Sequence, residues 1–183
     1  SEGKPSGWAV LSGDHAITKP ICSDDELIEE SLKFNPKVIS IDSPLSYPEG
    51  RHCTDPNCEC KKFGITRYCE RLLSSFGIGV YPCLIPSMVN LTNRGIRLAK
   101  KFRDRGIEVI ESYPGVAQDI LNIRRKQNGV EHLKNSYKNF GIKGEYLTAE
   151  KITHDELDAI ASALVGLFYV DNQYVGLGND KEN

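Results

Sequence analysis

Apolar and polar residues alternate in short runs over the first part of the chain, and this pattern predicts a hairpin followed by a helix. Residues 7–11 and 15–22 have the composition of two strands, and the pair Gly13-Asp14 between them is typical of a turn. Ser23 and Glu26 have the spacing of a capping box, which predicts that a helix starts there. The apolar face of this helix contains Leu27, Ile28 and Leu32.

The next apolar run, residues 38–41, predicts a strand buried on both faces, as in the middle of a parallel sheet. Asp42 closes the run, and Pro44 then stops the strand because proline has no backbone N–H to donate. We therefore expect Asp42 at the carboxyl edge of the sheet, where open α/β sheets place their chemistry. The alternative is a structural role, in which Asp42 accepts hydrogen bonds from the following turn.

The second half of the chain repeats the order of a strand, a terminal acid and a proline turn. Residues 107–111 form an apolar run that ends in Glu111, and Pro114 follows shortly after it. Strands that alternate with helices in this way predict an α/β fold, with a mixed sheet and helices on both faces. The predicted helices around this strand are at residues 67–76, 93–105, 116–125 and 131–140.

The clearest helix of the sequence begins after Thr153, which has capping-box spacing with Glu156. Asp158 falls on the edge of the apolar stripe of this helix rather than on its solvent side. Small neighbouring residues would let the helix lie close to a sheet, so we expect Asp158 near the acids at the strand ends. An acid early in a helix is also favoured by the helix dipole, but that role suits Asp155 better. The stripe contains Leu157, Ile160, Ala161, Leu164 and Phe168.

Carboxylates brought together in this way have a definite chemistry. Like charges about 4 Å apart repel, so such a group either takes up a proton or binds a cation. Mg²⁺ and Mn²⁺ prefer carboxylate oxygens and keep waters that exchange with phosphate. We therefore predict that Asp42, Glu111 and Asp158 bind Mg²⁺ or Mn²⁺ for phosphodiester hydrolysis, with Asp155 as a reserve ligand. His154 could move a proton in this site, or it could simply be solvated.

Four segments around these acids occur in a fixed order along nearly the whole chain: PSGWAV (5–10), IDSPLS (41–46), ESYPG (111–115) and HDELDA (154–159). Together they resemble the domain-of-unknown-function family 429. The resemblance implies a predicted nuclease of the ribonuclease H-like fold, related to the RuvC-type resolvases. It also implies acids on the first and fourth strands, on a later strand and on the last helix. Asp42, Glu111 and Asp158 stand at three of these places.

The family's first strand, which carries the fourth acid, is missing from this sequence. In the strand order 3-2-1-4-5 that the resemblance implies, it would lie between residues 7–11 and residues 38–42. Buried backbone groups left unpaired cost about 1–3 kcal/mol each, so two strands that had lost this neighbour would need another. We expect that residues 8–11 and 39–42 are not directly paired, and that upstream residues or another chain fill the space.

Four cysteines within 17 residues form a second cluster: Cys53, Cys58, Cys60 and Cys69, with His52 adjacent. They lie in an irregular segment, about residues 47–70, which we predict as an insertion in a single domain spanning residues 1–183. A structural zinc ion would order such a segment, which cannot form its own core. Iron–sulfur ligation, disulfide bonds and buried free thiols are the alternatives, and all of these roles are structural.

Basic residues recur at helical spacing at Arg94, Arg97, Lys101 and Arg105, and residues 124–126 add a second basic cluster. In a chain with a net charge of −2, a local basic stripe is typical of a surface that follows a phosphate backbone. Nucleic acid is therefore the predicted partner, although ordinary solvated helix faces show the same pattern. The sequence leaves open whether the protein is a homodimer.

The chain has 183 residues, of which 39% are hydrophobic, enough for one domain with a sizeable core. No apolar run approaches the roughly 20 residues that span a bilayer, so we predict a cytoplasmic protein without a membrane partner. The alternative to a nuclease is a non-catalytic ribonuclease H-like scaffold or nucleic-acid-binding protein that uses the cysteine segment. A small-molecule phosphotransfer enzyme is a third class, but the sequence contains no glycine-rich phosphate loop of the usual spacing.

Overall fold

A computed structural model describes residues 4–123 and 129–182, and within these ranges the chain is an α/β protein with six α-helices and two small sheets. The predicted α/β class is confirmed. The strands are β1 (Ser6–Ser12), β2 (His15–Ile21), β3 (Val38–Ile41) and β4 (Glu108–Glu111). The helices are α1 (Asp24–Leu32), α2 (Tyr68–Ser75), α3 (Val89–Arg103), α4 (Pro114–Ile120), α5 (Val130–Phe140) and α6 (His154–Val170).

The chain divides into two compact units. The strand unit contains all four strands and consists of residues 4–42 and 102–174 of the described ranges. The cysteine unit consists of residues 43–101 and 175–182 and contains the cysteine-rich segment. The single domain spanning residues 1–183 stays a prediction.

The four strands of the strand unit form two separate pairs. β1 and β2 make an antiparallel hairpin with Ser6 opposite Ile21, and β3 and β4 are parallel with Ile41 opposite Glu111. The predicted mixed sheet is thus two two-stranded sheets, one antiparallel and one parallel. As expected from the sequence, no ladder joins β1 to β3 in the part of the chain that the structure describes.

Helix α6 provides the core of the strand unit because most of its apolar stripe is buried. Leu157, Ile160 and Leu164 are at most 1% exposed and pack with Leu133 and Tyr137 of α5. Burial of each such side chain contributes about 1.5–3 kcal/mol. The helix begins at the predicted capping box, in which Thr153 Oγ1 accepts from Glu156 N and Glu156 accepts from Thr153 N.

The cysteine unit is organised around buried polar contacts as well as apolar ones. Glu70 forms a buried ion pair with Arg67, 2.8 Å apart, and also accepts a hydrogen bond from the backbone N–H of Cys83. Near the end of the described chain, the carboxylate of Glu182 accepts from the backbone N–H groups of Glu49 and Tyr68. The single carboxylate of Glu182 thus connects the backbone at residues 49 and 68.

The starts of two helices differ by more than one residue from the predicted ones, and the same two helices, α3 and α4, end earlier than predicted, at Arg103 and Ile120. α3 begins at Val89 rather than at residue 93, because the backbone N–H groups of Val89 and Thr92 already bond to the turn that precedes it. α4 begins at Pro114 rather than at residue 116, since proline is well suited to the first helical position. None of the described helices is long and apolar enough to cross a membrane.

Candidate functional site

The carboxyl ends of β3 and β4 lie at one edge of their sheet. Their parallel pairing continues past the strands, where Ser112 N donates to Ile41 O at 2.9 Å. Asp42 directly follows β3 and Glu111 is the last residue of β4, so both predicted ligands stand at this edge. Both side chains are exposed, and each takes part in an interaction within the protein.

Helix α6 packs on one face of this sheet. A Cβ added at Gly166 would lie 3.2 Å from Val38 Cγ1 and 3.6 Å from Ser40 Cβ, so the helix backbone comes very close to β3. Tyr169 Oη, one turn further on, donates to Glu108 at the start of β4. α6 therefore runs antiparallel to the two strands, and its N-terminal half lies toward their carboxyl edge.

With ideal helix and strand geometry, this direction would put Asp158 at about the level of Asp42. Eight helical residues separate Asp158 from Gly166 and rise about 12 Å, while the three strand residues from Ile39 to Asp42 rise about 10 Å. Side chains alternate along a strand, so Glu111 shares the face of Ile41, opposite to the face of Ser40 that α6 covers. Glu111 thus lies at the same edge as Asp42 but on the other face of the sheet.

A buried side-chain network orients Asp158. Gln118, which is 2% exposed, donates from Nε2 to Asp158 Oδ1 at 3.0 Å and to Tyr137 Oη at 3.2 Å. Tyr137 in turn donates its hydroxyl proton to Leu157 O at 2.8 Å, and burial raises the pKa of Tyr137 well above its usual range. Gln118 was not singled out by sequence analysis, because nothing in the pattern of α4 distinguishes it from an exposed glutamine.

Three buried serine hydroxyls of the strand unit have unused hydrogen-bonding capacity. The Oγ atoms of Ser40, Ser112 and Ser162 are buried and have no hydrogen-bond partner among the described residues. Ser162 lies one helical turn after Asp158. His154 lies one turn before Asp158, and its Nδ1 is also buried without a hydrogen-bond partner among the described residues. Buried polar atoms nearly always have a partner, so this interior favours a polar occupant such as water.

The three predicted carboxylates do not form a compact group of metal ligands. Within the described residues, no three acids bring their oxygens within 4.8 Å of one another, and Asp42, Glu111 and Asp158 are therefore not such a group. Asp155, the reserve ligand, lies in the first turn of α6 and forms an ion pair with Lys4 at 3.1 Å.

Three of the four residues of the predicted basic stripe lie on one helix. Arg94, Arg97 and Lys101 lie on α3 at spacings of three and four residues and so share one side of that helix, whereas Arg105 follows its end. Arg94, Lys101 and Arg105 each take part in an interaction within the protein. The second basic cluster, residues 124–126, lies outside the described residues.

The cysteine unit contains a compact group of four metal-ligating side chains: His52, Cys53, Cys58 and Cys60. Their ligand atoms all lie within 4.8 Å of one another, an arrangement that could hold a metal ion. Cys53 Sγ and Cys60 Sγ are 3.5 Å apart, and so are Cys58 Sγ and His52 Nε2. No disulfide bond joins any of these thiols. Cys69, the fourth ligand predicted from the sequence, is the second residue of α2 and does not belong to this group.

A tight turn builds the group. Asp55 accepts from Asn57 N through its side chain and from Cys58 N through its backbone oxygen, with Pro56 between them, which is the usual chemistry of a β-turn. A 3-10 helix follows at Glu59–Phe63 and returns Cys60 to Cys53. The signal that could have identified His52 is its position beside Cys53, since an adjacent imidazole and thiol can both face into one turn.

The thiols of this group differ in acidity. A backbone hydrogen bond from His52 is the main cause that lowers the pKa of Cys60 to about 6, with help from Cys58 and Cys53. For Cys53, a backbone hydrogen bond from Asp55 lowers the pKa, but the thiols of Cys60 and Cys58 outweigh it and the pKa is raised.

Comparisons with models of protein families, with curated proteins and with solved structures find no match to this chain. The resemblance to family 429 therefore stays a prediction, and function has to be argued from the two sites themselves.

Proposed function

We propose that this chain is a Mg²⁺- or Mn²⁺-dependent phosphodiesterase that acts on nucleic acid, with a ribonuclease H-like strand unit as its scaffold. The single observation that carries the proposal is the packing of α6 on the parallel β3–β4 sheet, from which we infer that Asp158 lies toward the carboxyl edge where Asp42 follows β3. Glu111 ends β4 at the same edge. The resemblance to family 429 favours the same activity.

The side chains suit this chemistry. Asp42 and Asp158 would supply carboxylate oxygens, and Gln118 keeps one oxygen of Asp158 in place. The buried hydroxyls of Ser40, Ser112 and Ser162, which have no partner among the described residues, would be available to bind water. A bound divalent cation would polarise the phosphodiester and lower the pKa of water. His154 Nδ1, buried and without a partner among the described residues, is a group that could take the proton released by that water.

A non-catalytic ribonuclease H-like scaffold or nucleic-acid-binding protein is the alternative. One observation favours it, because within the described residues the three acids do not come within 4.8 Å of one another. Two carboxylates plus waters still suffice for Mg²⁺, which usually keeps several waters and one or two protein carboxylates. The two functions are therefore distinguished by activity.

The test is Mn²⁺-dependent cleavage of labelled single-stranded and branched DNA and RNA by the full chain and by Asp42→Asn and Asp158→Asn variants. The amide keeps the shape of the side chain but lacks the charge that holds a cation, so each variant should lose at least about 100-fold in rate. Asp171→Asn, at the exposed end of the same helix, is the matched control and should retain full activity. Cleavage by none of the four proteins would support the scaffold instead, and equal cleavage by all four would contradict the proposed carboxylate site.

A further inference from the structure

We propose that His52, Cys53, Cys58 and Cys60 bind one Zn²⁺ ion, and that this ion holds the irregular part of the cysteine unit in place. The assignment goes beyond the proposed phosphodiesterase and does not depend on it, because none of these residues is one of the carboxylates. It also replaces the ligand set that the sequence alone suggests, with His52 in place of Cys69.

Two of the distances between ligand atoms are close to those expected for tetrahedral zinc. With Zn–S bonds near 2.3 Å and Zn–N bonds near 2.0–2.1 Å, tetrahedral angles put two sulfurs about 3.8 Å apart and a sulfur and a nitrogen about 3.6 Å apart. The observed Cys53–Cys60 and Cys58–His52 separations are both 3.5 Å. A disulfide between Cys53 and Cys60 would instead need a sulfur separation of about 2.05 Å.

The ligand types select the metal. Three thiols and one imidazole form a soft donor set that suits zinc and leaves Mg²⁺ or Ca²⁺ without the oxygen ligands they require. Iron–sulfur clusters of the common type take four cysteines, whereas the fourth member here is a histidine. Four protein ligands leave no open position for a substrate, so the site is structural rather than catalytic.

The surrounding chain lacks the apolar burial that would hold it without a metal. From residue 49 to residue 66 the only buried side chain is Cys60, which is itself a proposed ligand. The largest apolar side chains there, Phe63 and Ile65, are 49% and 42% exposed. A segment of this kind gains its order from bonds to a metal, as small zinc domains do.

Hydrogen bonds connect the chain before the 3-10 helix with the chain after it. Arg51 donates from Nε to Cys53 O and from Nη1 to Gly64 O, on either side of the 3-10 helix. Asp55 closes the turn between Cys53 and Cys58. These contacts position the four ligands, but none of them buries apolar surface.

The experiment measures zinc content by mass spectrometry in the full chain purified with zinc in the medium. The wild type and the Cys69→Ser variant should each contain one zinc ion per chain. Cys58→Ser and His52→Ala should contain less than a fifth of that amount. These two ligands were chosen because Cys58 is only partly buried and His52 is exposed, so their replacement leaves the packing intact. Cobalt replacing zinc in the wild type should give the absorption of a tetrahedral thiolate site.

Limited trypsin digestion gives an independent readout of folding. Chelation should speed cleavage at the exposed Lys61 and Lys62 at least tenfold in the wild type, and added zinc should restore protection. Metal-free wild-type protein with a disulfide between Cys53 and Cys60 would overturn the proposal. So would loss of zinc in Cys69→Ser with retention in His52→Ala, since that result would identify the four-cysteine set.

Discussion

Cys83 shows how burial decides what a side chain can do. Its thiol is fully buried in the cysteine unit and donates to Ile65 O, and desolvation, followed by the nearby charge of Glu70, raises its pKa to about 12. The thiolate is the reactive form of cysteine, so almost none of Cys83 is reactive at neutral pH. Cys22, by contrast, is exposed at the end of β2.

We therefore predict that iodoacetamide labels Cys22 in the native protein at pH 7.5 and leaves Cys83 unmodified. Peptide mass spectrometry after timed labelling should show a rate ratio of at least about 100 between the two sites, because labelling of Cys83 has to wait for local opening. Unfolding in urea should bring the two rates together. Comparable labelling of the two cysteines in the native state would contradict the conclusion that the Cys83 thiol is buried.

At the scale of elements, the strand unit depends on how closely α6 approaches β1. A Cβ added at Gly7 would lie 1.9 Å from Asp155 O and 2.1 Å from Asp155 C, both of them backbone atoms that cannot rotate away. The same helix is close to β3 at Gly166, where an added Cβ would make a tight contact at 3.2 Å. Small residues on β1 and α6 thus let a helix lie directly on strands.

Gly7→Ala should therefore lower the free energy of unfolding by about 2–3 kcal/mol, since β1 or α6 has to move to make room. Gly79→Ala is the matched control, because an added Cβ there meets nothing within 4 Å. That variant should change stability by less than about 1 kcal/mol, in the stabilising direction if in any. Urea denaturation followed by circular dichroism measures both, and equal stability of the two variants would contradict the close packing of α6 on β1.

The elements were predictable wherever a local signal settled them. The two capping sequences at Ser23 and Thr153 each start a helix at the expected residue. These starts were predictable because each depends on a hydrogen bond between a side chain and a backbone N–H only three residues away. The ligand set in the cysteine unit was not predictable in this way. Sequence analysis grouped thiols by proximity along the chain, whereas the turn at Asp55 selects His52 over Cys69.

At the scale of the whole molecule, the α/β class followed from the alternation of strand and helix patterns, and the matching acids and prolines marked the ends of two strands. Distances between elements do not follow from such patterns. Asp42 and Asp158 come from segments more than a hundred residues apart, and the position of Asp158 depends on the packing of α6 at Gly166 and on the buried amide of Gln118. Neither feature has a local sequence signature.

Binding of Mn²⁺ to the zinc-loaded protein tests most directly whether the sheet edge is a cation site. Electron paramagnetic resonance of a Mn²⁺ titration reports free aquo-ion, and saturation of the cysteine unit with zinc beforehand keeps the thiols out of the measurement. We predict saturable binding of at least one Mn²⁺ per chain, and its loss in the Asp42→Asn/Asp158→Asn double variant, because the remaining carboxylate, Glu111, lies on the other face of the sheet. Equal Mn²⁺ binding by the wild type and the double variant, or none by either, would contradict the proposed site.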